Sequence, residues 1–172
     1  MTAIEGSNIL VTGGAGFIGS HLVDALLTGG AGDVFVLDNL VNGRRENLAD
    51  ALRDPRVNLI AADARDESTV NTILERGIDV VFHLACLGVR HSLHDPRENH
   101  AVNATMTLEM LESAMGAGVR RFIHVSSSEV YGTAQYAPMD ELHPTFPEPC
   151  TAARSSPVRP MRGPRSERMA SP

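Results

Sequence analysis

The segment Thr12-Gly13-Gly14-Ala15-Gly16-Phe17-Ile18-Gly19 follows the apolar run Ile9-Leu10-Val11 directly. A turn of this composition can hold a phosphate. Glycine lets the backbone bend tightly and approach a pyrophosphate, and a helix starting there offers free N–H groups and the positive end of its dipole. The spacing satisfies both Gly-x-Gly-x-x-Gly, through Gly14, Gly16 and Gly19, and Gly-x-x-Gly-x-x-Gly, through Gly13, Gly16 and Gly19. A second marker is Asp38, at the end of the next strand-like run. A carboxylate there can accept hydrogen bonds from both hydroxyls of an adenosine ribose and repels a 2′-phosphate, which favours NAD over NADP. The plainer alternative is a solvated loop aspartate. Asp63 closes a third run and would lie near the adenine.

Other chemistries find little support. His91 and His94 are three apart, without the Glu or Cys partners of a metal site. Cys86 and Cys150 form neither a metal spacing nor a disulfide framework, so both are expected to be free thiols. The net charge of −6 hides an asymmetry: residues 151–172 carry Arg154, Arg159, Arg162, Arg165 and Arg168 against Glu167 alone. The remaining body is strongly acidic and is no nucleic-acid binder. All fifteen basic residues are arginine, and the chain has no lysine. No stretch is apolar enough to span a bilayer, and the N-terminus lacks a signal-peptide layout, so no membrane association and a cytoplasmic location are expected.

Alternating strands and helices must position these groups. Phe17, Ile18, Leu22, Val23, Leu26 and Leu27 recur at helical spacing until Gly29-Gly30. Val34 to Leu37 is a continuous apolar run of the kind a strand buried on both faces shows. A short helix is predicted over 45–52, a strand over 57–61, a helix around Val70, Ile73 and Leu74, and a strand over 80–84. The longest helix is predicted from about Asn99 to Ala117, and a fifth strand over 122–125. This alternation implies α/β architecture: a doubly wound parallel sheet, in expected order 3-2-1-4-5. Residues 1–148 are expected to form the nucleotide-binding domain. Residues 149–172, rich in Arg, Pro and Ser, are expected to be a disordered tail.

The ordered set Thr12 to Gly19, Leu37-Asp38-Asn39-Leu40, His83-Leu84-Ala85-Cys86, Val102-Asn103 and Val125-Ser126-Ser127-Ser128-Glu129-Val130-Tyr131-Gly132 resembles the extended short-chain dehydrogenase/reductase family. Its members include NAD-dependent sugar-nucleotide epimerases and dehydratases, and the resemblance covers residues 7–148. Met106 stands where a glycine is expected within the helix. The resemblance implies a Rossmann fold and transient oxidation of a nucleotide sugar at C4 by NAD. It also implies cofactor contacts from Gly13, Gly16, Phe17, Ile18 and Gly19, from Asp38 and Asn39, from Asp63 and Ala64, and from Leu84 and Ala85. Ser127 matches the serine or threonine that helps activate the substrate. Glu129 falls where dehydratases and decarboxylases carry an acid that can act as a base, which keeps a decarboxylase as an alternative. Both residues could instead serve only as strand-end caps, and the chain could be a non-catalytic NAD-binding module. A homodimer is usual in such a family.

The family's tyrosine, with a lysine four residues on, has no counterpart. Tyr131 is followed at that spacing by Gln135 and Tyr136 by Asp140. The resemblance ends after Glu148. Synonymous codons for Pro149 to Arg162, read out of frame, can spell Val-Tyr-Gly-Ser-Ser-Lys, which restores the pair. The expectation is therefore a frameshifted product truncated after strand five, inactive alone, with that strand left as an exposed and poorly soluble edge.

Overall fold

A computed structural model of the chain describes residues 4–146. The expected disordered tail at 149–172 and Cys150 lie outside the described residues. Five strands, β1 (Ile9–Thr12), β2 (Val34–Asp38), β3 (Val57–Ala61), β4 (Val80–His83) and β5 (Arg121–His124), form one sheet in the order β3-β2-β1-β4-β5. Every neighbouring pair is parallel. The predicted Rossmann-type order is the observed one.

The continuous apolar runs reflect burial on both faces of the sheet. Ile9, Val11, Val34, Val36 and Val80 pack on one side with Val23 and Leu26 of α1 (Phe17–Thr28). Leu10, Leu37 and Val81 face the other way, against Val70 and Ile73 of α2 (Glu67–Leu74) and Met110 and Ala114 of α5 (Met106–Gly116). Leu10 is fully buried, so its truncation to alanine costs about 2–5 kcal/mol.

Local chemistry sets the element ends. Gly30, at φ +79°, turns the chain away after α1. Asp66 caps α2 by accepting from the Ser68 and Thr69 N–H groups. In register, Thr12 lies opposite both Leu37 and His83. The carboxyl ends of the three central strands therefore finish level, and the chain's crossovers diverge to either side of β1 there. In open α/β sheets that crevice is where ligands bind.

Three segments differ from their sequence-based expectation. The helix expected over 45–52 is a pair of 3₁₀ turns, Arg45–Leu48 and Ala51–Arg53. The helix expected from Asn99 starts earlier, at α4 (Pro96–His100), passes through a π turn at Ala101–Thr105 and continues as α5. Asp95 supplies the N-cap and Pro96 the first helical position. A further short helix, α3 (Val89–His94), occupies a stretch with no periodic pattern. Met106, in place of the expected glycine, is buried at the start of α5. β5 lies at one end of the sheet, with Phe122 and Ile123 half-buried and Arg121 and His124 exposed. Among the described residues, no helix is long and apolar enough to cross a membrane.

Candidate nucleotide site

The glycine turn closes against the exit of β4. Gly13 has φ +69°, and a Cβ there would stand 2.8 Å from the Ala85 backbone nitrogen. A Cβ on Gly19 would meet the Gly13 carbonyl and come within 2.6 Å of the Gly14 Cα. These collisions are with backbone, which cannot swing aside, so the turn needs hydrogen at both positions. Gly16 differs: a Cβ would meet only the Gly13 carbonyl, at 3.2 Å, and otherwise project into open space. Gly16 is also the N-cap of α1, with no capping side chain and no acid in the first turn. The helix terminus thus keeps its positive end for an anion. Phe17 and Ile18 flank it, and both are largely exposed despite their size.

Asp38 is buried. One carboxylate oxygen accepts from the Ala15 N–H at 2.9 Å, and the other from the Leu40 N–H at 2.8 Å. A carboxylate has about four acceptor sites, so capacity remains for ribose hydroxyls. Two further residues shape this pocket: Gly43, which no sequence motif marks, and Leu40, whose place in the Leu37 to Leu40 run gives no hint of its backbone conformation. Gly43 comes so close that a Cβ would stand 2.7 Å from the Asp38 carboxylate. Leu40 adopts φ +59°, a left-handed conformation that costs a branched residue about 1–2 kcal/mol. Exposed Asn39 accepts from the Val41 N–H at 3.2 Å.

Asp63 is held by a fork from Arg65, at 3.0 Å from Nε and 2.8 Å from Nη2. That bidentate pairing is the main reason its carboxyl titrates at about 2. Arg65 also reaches Glu98 on α4 at 2.8 Å, so the β3 exit, bearing half-buried Ala64, is tied to α4. The Asp-x-Arg spacing was visible in the sequence, and the Glu98 partner was not. A groove of about 880 Å3 opens between α2 and α5, with Arg65 and Ala64 at its rim. The glycine turn does not line it, so it is not the crevice at the strand ends.

At the β4 exit, Leu84 donates its N–H to the Thr12 carbonyl, and Ala85 donates to the Thr12 hydroxyl. His83 is buried between Thr12 Oγ1, 2.8 Å from Nδ1, and Thr107 Oγ1, 3.0 Å from Nε2. Burial, helped by neighbouring His124, lowers its pKa to about 4, so the ring is neutral at pH 7. Asn103, in the π turn, accepts from the Leu87 N–H at 2.8 Å and donates to the Leu87 carbonyl at 2.7 Å. It thereby clamps the loop that follows Ala85.

Ser127 and Glu129 lie beyond β5, both exposed. The Ser127 hydroxyl accepts from the Glu129 N–H at 3.2 Å and caps the 3₁₀ turn Ser128–Val130. Downstream, both tyrosines pack on buried His143. Tyr131 meets its ring edge-on, and Tyr136 donates to Asp140 at 2.6 Å, a bond that raises the phenol pKa. Cys86 is exposed and free, and no group of metal-ligating side chains occurs among the described residues.

A parallel sheet with this strand order, a glycine turn abutting an uncapped helix start, and an acid at the end of β2 define a Rossmann-type nucleotide-binding protein. Residues 10–153 match the family model described as GDP-mannose 4,6 dehydratase, and the chain belongs to that family, within the extended short-chain dehydrogenases/reductases. Among curated relatives, UDP-glucose 4-epimerase of Mycolicibacterium smegmatis is 43% identical over 140 residues, which cover 80% of this chain and 44% of that protein. UDP-glucuronic acid decarboxylase 1 of Arabidopsis thaliana is 43% identical over 137 residues, 78% of this chain and 29% of that protein. The dTDP-glucose 4,6-dehydratase DesIV of Streptomyces venezuelae, solved with NAD bound, superposes with TM-score 0.79 at 40% identity, over 86% of this chain and 48% of that one. The chain spans less than half the length of these relatives.

Proposed function

We propose that this chain is the NAD-binding part of a nucleotide-sugar epimerase or dehydratase of the cytoplasm. The observation that carries the reading is the glycine turn: it needs hydrogens at Gly13 and Gly19, and it leaves the α1 terminus uncapped. An elongated anion with two linked phosphates fits that cradle. Gly13, Gly16, Phe17, Ile18 and Gly19 would surround the pyrophosphate, and Asp38 and Asn39 the adenosine ribose. Asp63 and Ala64 would border the adenine, while Leu84 and Ala85 would wall the cleft on the β4 side. When bound, NAD supplies the acceptor for a hydride from the sugar C4 and returns it.

The chain's own catalytic groups in this proposal are Ser127, donating a hydrogen bond to the substrate hydroxyl, and Glu129, acting as base. Both are exposed beyond β5, and the Ser127 hydroxyl, which accepts from the Glu129 N–H, keeps its own proton to donate. Glu129, together with the resemblance to a decarboxylase, supports nucleotide-sugar decarboxylation as the second reading. Neither tyrosine has a lysine four residues on, and the sequence contains none. Losing such a general acid/base pair typically costs about 10²–10⁴ in rate. The proposal is therefore binding without turnover by this chain alone, with the pair encoded in another reading frame near codons 148–150. A homodimer belongs to the complete enzyme in this proposal.

Calorimetric titration with NAD, followed by assay with UDP-glucose and dTDP-glucose, tests it. NAD binding without turnover is expected, which is also how a non-catalytic module would behave. Sequencing the gene across codon 149 separates those two, since an alternative frame with no continuation of the enzyme removes the frameshift. Measurable turnover would overturn the account of the missing pair, and failure to bind NAD would overturn the cofactor assignment.

A further inference from the structure

His83 holds a position that the phosphate and ribose contacts do not use. Its polar neighbours come from two different elements, the end of β1 and the start of α5. The proton arrangement follows from the partners. The Thr107 hydroxyl donates to the Asn103 carbonyl at 3.2 Å, so its oxygen must accept from His83 Nε2–H. A neutral ring protonated at Nε2 leaves Nδ1 as an acceptor, and the Thr12 hydroxyl is the donor it meets. Thr12 in turn accepts from the Ala85 N–H at 3.3 Å. One directed chain therefore runs from the Ala85 N–H through Thr12, His83 and Thr107 to the Asn103 carbonyl.

Both ends of that chain bear on the crevice. Ala85 is the residue against which Gly13 closes. Asn103 sits in the π turn and grips Leu87, two residues beyond Ala85. Single π turns inside helices are frequent at functional sites. A Thr hydroxyl back-bonded to the carbonyl four residues earlier also bends a helix locally.

We propose that His83 is a positioning residue for the cofactor cradle, its imidazole bridging Thr12 beside the glycine turn to Thr107 and the π turn beside the β4 exit loop. The bridge sets the separation of the Gly13 and Ala85 walls, and a ring of fixed tautomer makes both contacts at once. This inference rests on the NAD-binding reading for its effect on affinity, while the bridge itself can be read without ligand.

Thr107→Val removes the acceptor of Nε2–H and touches neither Gly13 nor Ala85. Thr107→Ser restores the hydroxyl and serves as the rescue variant. In the full chain, imidazole ¹⁵N shifts report the His83 tautomer, amide hydrogen exchange reports the Ala85 N–H, and calorimetry reports NAD affinity. Thr107→Val is expected to move His83 off the Nε2–H tautomer, to speed Ala85 exchange and to weaken NAD binding, the last two by about three- to tenfold. Thr107→Ser should behave as wild type. A wild-type ring protonated at Nδ1, or Ala85 exchange indifferent to Thr107→Val, overturns the bridge. Unchanged NAD affinity in a Thr107→Val chain whose tautomer has switched overturns the positioning role. If the wild type binds no NAD, the functional reading fails and the positioning role with it, while the tautomer and exchange results still decide the bridge.

Discussion

Alanine at Gly13 and alanine at Gly16 should separate folding from cofactor binding. At Gly13 the new side chain must accept φ +69°, which costs about 1–2 kcal/mol for a non-glycine residue. Its Cβ would also stand 2.8 Å from the Ala85 nitrogen, and such overpacking typically costs about 1–3 kcal/mol. The total of about 2–5 kcal/mol corresponds to a drop in Tm of about 4–20 °C for a chain of this size. At Gly16 the backbone is extended, with φ −74° and ψ 176°, and the nearest obstacle is a carbonyl at 3.2 Å. Gly16→Ala should therefore cost no more than about 1 kcal/mol of stability. Its methyl group would nevertheless occupy the mouth of the α1 terminus. Displacing a phosphate from one charge-assisted N–H bond costs about 1.5–3 kcal/mol, or about 10- to 150-fold in affinity. Thermal melts and NAD calorimetry on both variants provide the check. A Gly13→Ala chain melting with the wild type, or a Gly16→Ala chain binding NAD with undiminished affinity, would refute the reasoning.

Other outcomes follow from the charged and polar groups. His83 titrates at about 4 when folded, against 6.5 for an ordinary histidine, so the unfolded chain binds more protons between those values. Its contribution is fully present above pH 6.5 and lost as pH falls toward 4, about 3 kcal/mol at most. Urea denaturation at pH 7 and pH 4.5, in wild type and His83→Phe, should show the slope in the wild type and its flattening in the variant. Arg65→Met removes the fork on Asp63, so carboxyl ¹³C titration should find Asp63 moved up from about 2 toward the usual carboxylate range. Being half-exposed, that pairing should contribute no more than about 1 kcal/mol to stability. Deleting residues 151–172 should leave NAD affinity unchanged by calorimetry, since the proposed contacts all lie before it.

The parallel sheet and its crowded glycine turn were legible because their causes are local and repetitive. Strands buried on both faces must be apolar throughout, as Ile9 to Val11 and Val34 to Leu37 are, and a turn of crowded backbone must be glycine. The position of Asp38 was legible too, from the end of its apolar run. Its hydrogen bonds to Ala15 and Leu40 were not, because they depend on how two loops meet. The π turn escaped notice since one extra residue hardly alters an apolar pattern spread over Asn99 to Ala117. α3 escaped because six residues between Gly88 and Asp95 carry too little periodicity. His83 read only as part of a strand and a motif, and nothing near it in sequence names Thr12 or Thr107 as its partners.

The two hydrogen bonds of Asp38 bear on how cofactor preference can change in such a protein. Admitting a 2′-phosphate requires losing the carboxylate, but the same group anchors the glycine turn through Ala15 and the following loop through Leu40. Asp38→Ala would leave two N–H groups without acceptors, at about 1–3 kcal/mol for each that stays buried, while Asp38→Asn keeps one acceptor oxygen for two donors. Gly43 narrows a further route, since a side chain there would collide with the Asp38 carboxylate for as long as that carboxylate is kept. A lineage switching coenzymes would have to rebuild both loops before or together with the charge, so the preference written at one position is guarded by its neighbours.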